Sequence, residues 1–446
     1  MRKVITYGTY DLLHYGHIRL LERAKKLGDY LIVGVTSDDF DKARGKINVQ
    51  QSLVERIEAI KALNIADEII VEEYEGQKID DIKKYGIDIF TVGSDWKGQF
   101  DYLKEFCEVV YLDRTEGVSS SDIRKESNSI KVGLVGDSKF LDKFLDESKY
   151  VNGVEITGIC TNDINIFGDK IKNLPIVTND YETLLDNVDA VHIHSEPSIH
   201  YSQIKQALNK GKHVLCESPI ALSSRQTNEL IKLAEEKNLV LLDGIRTAYC
   251  TAFSRMVVLA KSGIIGNVVS VDATCTSLSK AADAPGWNSI YSWGPVALLP
   301  VFEILGVNYK KAEIITSLQT NTNNDLFTKV SFLYDSAVAS IKVAKSVKSE
   351  GDLIVSGTKG YIFVPSPWWK TSYFEVRYEN FADNKKYFYQ FEGQGLRYEI
   401  AFFNKIINQS KIENVSIDQR ISKAIVSIME LFVTKKDLET IDIVCK

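Results

Sequence analysis

The chain has 446 residues, too many for one core of ordinary size, so two or three domains are expected. Apolar residues make up 44% and charged ones 26%, the balance of a soluble globular protein, and a net charge of −6 argues against a nucleic-acid binder, which carries a basic surface. No apolar run approaches the roughly 20 residues of a membrane span, and the opening MRKVITYG enters a strand pattern at once, with no cleavable apolar segment.

In chain order, the first segment alternates strands and helices. Residues 4–7 form a short apolar run ending in Gly8, 18–27 have helical apolar spacing, and 30–35 read as a buried strand. A helix follows at 53–63, with strands at 69–71, 87–92 and 109–112. Such alternation predicts a parallel sheet covered on both faces. Residues 125–131 are polar and aperiodic, and a new strand at 132–135 opens a second alternation. From about 265 the runs 268–273, 330–334, 337–343 and 353–356 suggest a mostly antiparallel sheet, and a helix over 418–432 closes the chain. The predicted fold class is α/β: a nucleotidyltransferase-type Rossmann-like domain over 1–128, a second Rossmann-like domain over 129–250, and an α/β open-sheet domain over 251–446. The six cysteines (107, 160, 216, 250, 275, 445) show no CxxC pair and no regular spacing, so they read as reduced thiols of a cytoplasmic protein. No structural metal site is expected.

The decisive motif is His14-Tyr15-Gly16-His17, after the first strand and at the start of a helix. Chance in this composition predicts roughly 0.005 such motifs, so two surface histidines meeting by accident is a poor account. Nucleotidyl transfer crowds negative charge onto phosphorus oxygens, and catalysis is mostly positioning and electrostatic stabilisation. Two imidazoles at i and i+3 can face one phosphate, Gly16 allows close backbone approach, and the helix adds its positive end. Thr9 and Asp11 are placed to orient the phosphates or the surrounding polar network. A second signature, RTEGVSSSDIR at 114–124, supplies a fixed cation, a glycine turn and hydroxyls at a helix start, which suits outgoing pyrophosphate. Taken alone, it would also serve as an ordinary helix cap.

With these motifs, residues 1–125 resemble the bacterial glycerol-3-phosphate cytidylyltransferases. The matching stretches are YGTYDLLHYGHIRLLERAKKLGDYLIVGV at 7–35, GSDWKGQFDYL at 93–103 and RTEGVSS at 114–120. The resemblance implies that His14, His17 and Arg114 are catalytic and that Thr9, Asp11, Gly16, Asp95, Thr115, Ser119 and Ser120 bind CTP. It also implies that Arg44, Lys46 and Arg56 face the triphosphate or the acceptor phosphate. The substrates implied are CTP, with Mg2+ on its triphosphate, and a small polyol phosphate, with glycerol 3-phosphate first. The loop at 41–50, DKARGKINVQ, departs from that family's lysine-rich loop and leaves the polyol less fixed than the reaction.

Residues 131–446 resemble the Gfo/Idh/MocA oxidoreductases through Asp189, His200 and the GKHVLCESP stretch at 211–219. Three departures stand against redox chemistry. Of the GxGxxG fingerprint only Gly136 remains, in Gly136-Asp-Ser-Lys-Phe-Leu. Ser218 stands where the family's Glu-Lys-Pro lysine would, and Leu298 and Phe302 align with its Asp and His; none of the three can exchange a proton as those groups do. NAD(P) is therefore not expected to be used. Two readings remain: an accessory domain that dimerises, tethers or senses a ligand, or a divergent reductase making the polyol phosphate from a keto-sugar phosphate. His192, His194 and His200 could suggest a metal, although packing at a strand end explains them better. The aromatic run Pro365–Trp369 could stack on a sugar or pack at a sheet edge. A homo-oligomer is expected from both resemblances.

Overall fold

The computed structural model describes residues 1–113, 129–278, 287–319, 324–408 and 419–442. The chain divides into two compact units, Met1–Ser129 and Ile130–Lys446. The signature at 114–124 and the polar stretch 125–128 lie outside the described residues.

The first unit runs β1 (Lys3–Gly8), α1 (Tyr15–Lys25), β2 (Tyr30–Thr36), α2 (Asp38–Ala43), α3 (Leu53–Ala62), β3 (Glu68–Glu72), α4 (Gln77–Tyr85), β4 (Ile89–Gly93) and β5 (Glu108–Leu112). The five strands pair in parallel in the order β3-β2-β1-β4-β5. The central strands bury both faces, which is why their sequences are continuous apolar runs rather than alternating ones. Val4, Leu31 and Val33 pack with Leu21 and Ala24 of α1 and with Ile60 of α3. Ile5, Ile32 and Phe90 face the other way, toward Ile82 of α4. Each of these valine, leucine, isoleucine and phenylalanine side chains contributes roughly 1.5–3 kcal/mol of burial. Gly34 is required where β2 crosses β1, since a Cβ there would meet the Tyr7 ring at 2.2 Å. α3 begins with a capping box, Ser52 and Glu55 each capping the other's backbone. Strands β2 and β3 lie on one side of β1, and β4 and β5 on the other. The crevice outside the carboxyl ends of β1 and β4 is thus the topological switch point, where open α/β sheets take ligands.

The second unit opens with β6 (Ile130–Val135), α5 (Phe140–Ser148), β7 (Val154–Cys160), α6 (Asp169–Lys172), β8 (Ile176–Thr178), α7 (Tyr181–Leu185), β9 (Ala190–Ile193), α8 (Pro197–Asn209), β10 (His213–Glu217), α9 (Ser224–Glu236) and β11 (Leu241–Gly244). Its parallel sheet has the order β11-β10-β9-β6-β7-β8, with a switch point between β6 and β9.

The chain continues through α10 (Thr251–Lys261), β12 (Val268–Thr276), α11 (Ser289–Leu305), β13 (Lys311–Leu318), β14 (Asp325–Leu333), β15 (Val338–Ala344), β16 (Leu353–Gly357), β17 (Tyr361–Val364), β18 (Tyr373–Arg377), β19 (Lys385–Phe388), α12 (Leu396–Asn408), α13 (Gln419–Thr434) and β20 (Leu438–Thr440). These strands form one nine-stranded mixed sheet, β19-β18-β17-β16-β12-β15-β14-β13-β20. The pairs β12–β15 and β13–β20 are parallel and the rest antiparallel. Alternation in β13 and β15 buries one face, and α11 packs there. The last helix returns to the first sheet: Val426 of α13 sits in one core with Val191 and Leu208. The expected division at 250/251 is therefore crossed by shared packing.

Candidate active site

In the first unit, the segment between β1 and α1 leaves the sheet at the switch point. Tyr10 (φ 55°) and Leu12 (φ 49°) both hold left-handed backbone, a strain that persists only where surrounding contacts enforce it. Here the 50–51 segment enforces it. The Asp11 carboxylate accepts from Gln50 N at 3.1 Å and Gln51 N at 2.9 Å, while Leu12 N donates to Gln51 Oε1 at 2.8 Å.

His14 is the N-cap of α1, and its Nδ1 accepts from Gly16 N at 3.1 Å. A neutral His14 ring therefore carries its proton on Nε2, leaving that N–H as a donor. The His14 and His17 rings stack with centroids 3.8 Å apart at 25°, and Tyr10 meets His17 edge-on at 5.5 Å. The sequence spacing predicted two imidazoles facing one way, and the stacked pair lies at the positive end of an eleven-residue helix. Gly16 contributes its N–H to fixing His14.

The three basic residues expected beside the phosphates do different jobs. Arg56 is fully buried. Its guanidinium donates to Thr9 O at 2.6 Å, Thr36 O at 2.9 Å and Gln51 O at 3.2 Å, and pairs with Asp38. It clamps three segments together rather than presenting a charge to a ligand. Lys46 Nζ donates to Thr9 Oγ1 at 2.8 Å, and Thr9 Oγ1 donates to Asp41 Oδ1 at 2.8 Å. Arg44 lies 3.2 Å from Asp41 and 3.8 Å from Glu72. Burial raises the Asp41 carboxyl, against the pull of Lys46, Thr9, Arg44 and Arg56. Asp95 sits in a short 3-10 turn, Ser94–Trp96, directly after β4, exposed on the same sheet edge as the histidines.

A cavity of about 220 Å3 opens at this edge, lined by Phe40, Arg44, Tyr74, Lys78, Trp96 and Tyr102 among others. Sequence reasoning did not find Tyr74, Lys78 or Tyr102. The usable signal was the exposure of Tyr74, Trp96 and Tyr102, three large aromatics that a packed core would have taken in. Arg114, Thr115, Ser119 and Ser120 lie outside the described residues.

Comparison with known proteins agrees with this geometry. Residues 5–126 match the family described as cytidylyltransferase-like. Over 130 residues the chain is 52% identical to the glycerol-3-phosphate cytidylyltransferase of Bacillus spizizenii, a match covering 29% of this chain and all of that protein. Through its first unit, the chain belongs to the glycerol-3-phosphate cytidylyltransferase family. The protein of that name from Bacillus subtilis is 51% identical over 126 residues, 28% of this chain and 97% of its own. The cytidylyltransferase unit makes this chain a nucleotidyltransferase. Residues 130–244 match the oxidoreductase family with an NAD-binding Rossmann fold. KijD10, a 3-ketoreductase from Actinomadura kijaniata, superposes with a TM-score of 0.62 over 70% of this chain and 99% of its own, at 18% identity, which establishes a shared fold.

In the second unit, side chains at the switch point between β6 and β9 bond and stack with one another. Gly136 (φ +132°) is kept for a packing reason, because a Cβ would meet His194 O at 2.3 Å. The Asp137 carboxylate accepts from Thr161 Oγ1 at 2.6 Å, Asn162 N at 2.7 Å and Asn162 Nδ2 at 2.7 Å, tying the ends of β6 and β7 together. Burial works to raise its carboxyl, but these bonds outweigh burial and hold it below the usual range. Leu141, at the fingerprint's last glycine position, is fully buried. Phe140 stacks on His194 at 4.7 Å, and the Arg246 guanidinium lies 4.7 Å from the same ring's centroid.

Ser218 is buried and precedes a cis Pro219. Leu298 and Phe302 are core residues of α11, Phe302 meeting the Phe332 ring at 5.7 Å. His192 stacks on Phe144 at 3.9 Å, and burial pushes it down to about 3. His200 is held between Pro219 O at 2.8 Å and Ser195 O at 3.0 Å, its value pushed down by burial to about 4. Both therefore serve as packed, neutral rings. Cys107, Cys160, Cys216, Cys250 and Cys275 are free thiols. Among the described residues no helix is long and apolar enough to cross a membrane.

Proposed function

We propose that the chain transfers CMP from CTP to glycerol 3-phosphate, giving CDP-glycerol and pyrophosphate. The observation that carries this reading is the stacked His14–His17 pair at the α1 N-terminus, on the switch point of a parallel sheet. An oxygen of the acceptor phosphate attacks the CTP α-phosphorus, and the bond to the bridging oxygen breaks as pyrophosphate leaves. His14 Nε2–H, His17 and the helix N-terminus stabilise the charge gathering on the phosphorus oxygens. The locked Thr9–Leu12 turn holds both rings in register, with Arg56 beneath it as a positioning residue. Asp95 reads the cytidine, while Arg114, Thr115, Ser119 and Ser120 hold the triphosphate. A magnesium ion bound with that triphosphate would offset its charge. The cavity beside Arg44 and Lys78 suits a small polyol phosphate, its phosphate on the cations and its carbons on the aromatic rings.

For the second unit we propose a non-redox accessory role. Asp137, the buried Leu141, the Phe140 stack and Ser218 do not fit a bound dinucleotide with a proton-transferring lysine, so no hydride step is assigned. The open face of the nine-stranded sheet exposes Ile315, Leu333, Val338 and Tyr361, which supports the expected homo-oligomer, to be checked by light scattering. Free thiols agree with a reducing, cytoplasmic setting. The test of the transferase reading is product analysis with CTP, magnesium and a panel of glycerol 3-phosphate, glycerol 2-phosphate and ribitol 5-phosphate. CDP-glycerol with equimolar pyrophosphate is expected; turnover confined to ribitol 5-phosphate would overturn the choice of acceptor.

A further inference from the structure

Arg44 and Lys78 both line the first unit's cavity, yet they reach it from different segments. Arg44 directly follows α2, and Lys78 lies in the first turn of α4. One carboxylate stands between them. Glu72, the last residue of β3, is 1% exposed, and its Oε1 pairs with Lys78 Nζ. Its Oε2 accepts from Thr36 Oγ1 at 2.8 Å and lies 3.8 Å from Arg44 Nη2. Arg44 Nη2 in turn donates to Thr36 Oγ1 at 3.3 Å and to Asp41 Oδ1 at 3.2 Å, and the guanidinium covers the Phe40 ring at 4.6 Å.

A buried carboxylate is tolerated only where close partners offset its lost hydration, and here those partners are the cavity's own cations. Lys78 is anchored at both ends. Gln77 ties the start of α4 to β3, its Oε1 accepting from Glu73 N at 2.7 Å and its Nε2 donating to Val71 O at 2.7 Å. That fixes where the Lys78 stem begins. Glu72 fixes where the ammonium ends, 4.7 Å over the Tyr7 ring. Arg44 is held likewise, between Asp41 on one side and Thr36 with Glu72 on the other. Long cationic side chains lose rotamer freedom when a ligand orders them, and a site whose cations already stand in place avoids that cost.

We propose that Glu72 is a positioning residue for the acceptor, touching no substrate itself but setting Arg44 and Lys78 so that both face one phosphate across the cavity. The inference rests on the transferase reading, with this cavity as the acceptor site. Loss of Glu72 has two opposed effects. One negative charge fewer would favour a bound phosphate, whereas a Lys78 without its partner would turn away from the cavity. Positioning predicts that the second effect wins.

The test is steady-state cytidylyl transfer by the full chain, with separate KM values for CTP and glycerol 3-phosphate. It compares the parent, Glu72→Gln, Lys78→Met and the double variant. Glu72→Gln should raise the glycerol 3-phosphate KM on the order of tenfold, with kcat and the CTP KM within about twofold of the parent. Either single change strands one buried partner and should lower the melting temperature, while the double change removes both and should recover much of it. The acceptor KM should not recover with it: in the double variant it stays on the order of tenfold high and rises no further than in either single variant. If Glu72→Gln does not fold, Glu72→Asp, which keeps the charge but draws it back by one methylene, takes its place with the same expected split. An unchanged or lowered acceptor KM in the Glu72 variant, equal rises for both substrates, or additive effects in the double variant would overturn the proposal. Recovery of melting and acceptor KM together in the double variant would also overturn it, leaving Glu72 as a structural ion pair. A parent that makes no CDP-glycerol would remove the transferase reading and this inference with it, whereas parental turnover with an unmoved acceptor KM sinks the inference alone.

Discussion

Both units begin with the same device, a parallel sheet whose strand order reverses beside its first strand, and they use the resulting crevice in opposite ways. In the first, the chain leaving β1 is held in strained left-handed turns, so that two imidazoles and a helix N-terminus face outward. In the second, the chain leaving β6 puts a carboxylate across the ends of β6 and β7, with a leucine and a phenylalanine behind it. The difference lies in about six residues after one strand. It shows why a shared fold says where a ligand would sit and leaves what happens there to the side chains.

The sharpest way to break this comparison is to remove the imidazoles. His14→Ala or His17→Ala should reduce cytidylyl transfer on the order of 10³-fold while circular dichroism and melting stay as in the parent. Near-parental turnover of either variant would mean that the stacked pair is packing and not machinery.

Arg56 separates holding the site from contacting the ligand. Arg56→Ala leaves Asp38 and Asp41 without their buried partner and should cost roughly 3–5 kcal/mol of stability. Denaturant unfolding measures this. A variant that melts normally but loses CTP affinity would return Arg56 to the ligand-binding set.

The smallest effect concerns the second unit's crowded strand ends. Burial pushes the Asp243 carboxyl up from 3.8 to about 6, helped by Glu217, with the hydroxyls of Ser218 and Ser422 working against it. A folded value above the unfolded one means the contribution is complete below pH 3.8 and is lost as pH climbs through about 6. Asp243→Asn should therefore stabilise the protein at pH 8, by at most about 3 kcal/mol, and change little at pH 4. Equal effects at both values would show that the carboxyl is not perturbed.

Much of this was legible in the sequence because it is local. Continuous apolar runs marked the buried parallel strands, and the i, i+3 histidines fixed their own geometry. Glycine, aspartate and leucine at 136, 137 and 141 announced an altered phosphate turn. The rest depends on contacts between distant segments. Arg56 looks like an exposed cation at the start of a helix, yet it is buried because carbonyls of Thr9, Thr36 and Gln51 converge on it. The aromatic cavity combines residues following β2, β3 and β4. The third sheet gains β20, a short strand after α13 whose parallel place beside β13 no periodicity signals.

The most direct test of the account is pyrophosphate release by the full chain with CTP, magnesium and glycerol 3-phosphate, run with and without NADPH. The account predicts full turnover without NADPH and no change on adding it. Turnover that appears only with NADPH and a keto-sugar phosphate would contradict it, and would make the second unit a working reductase.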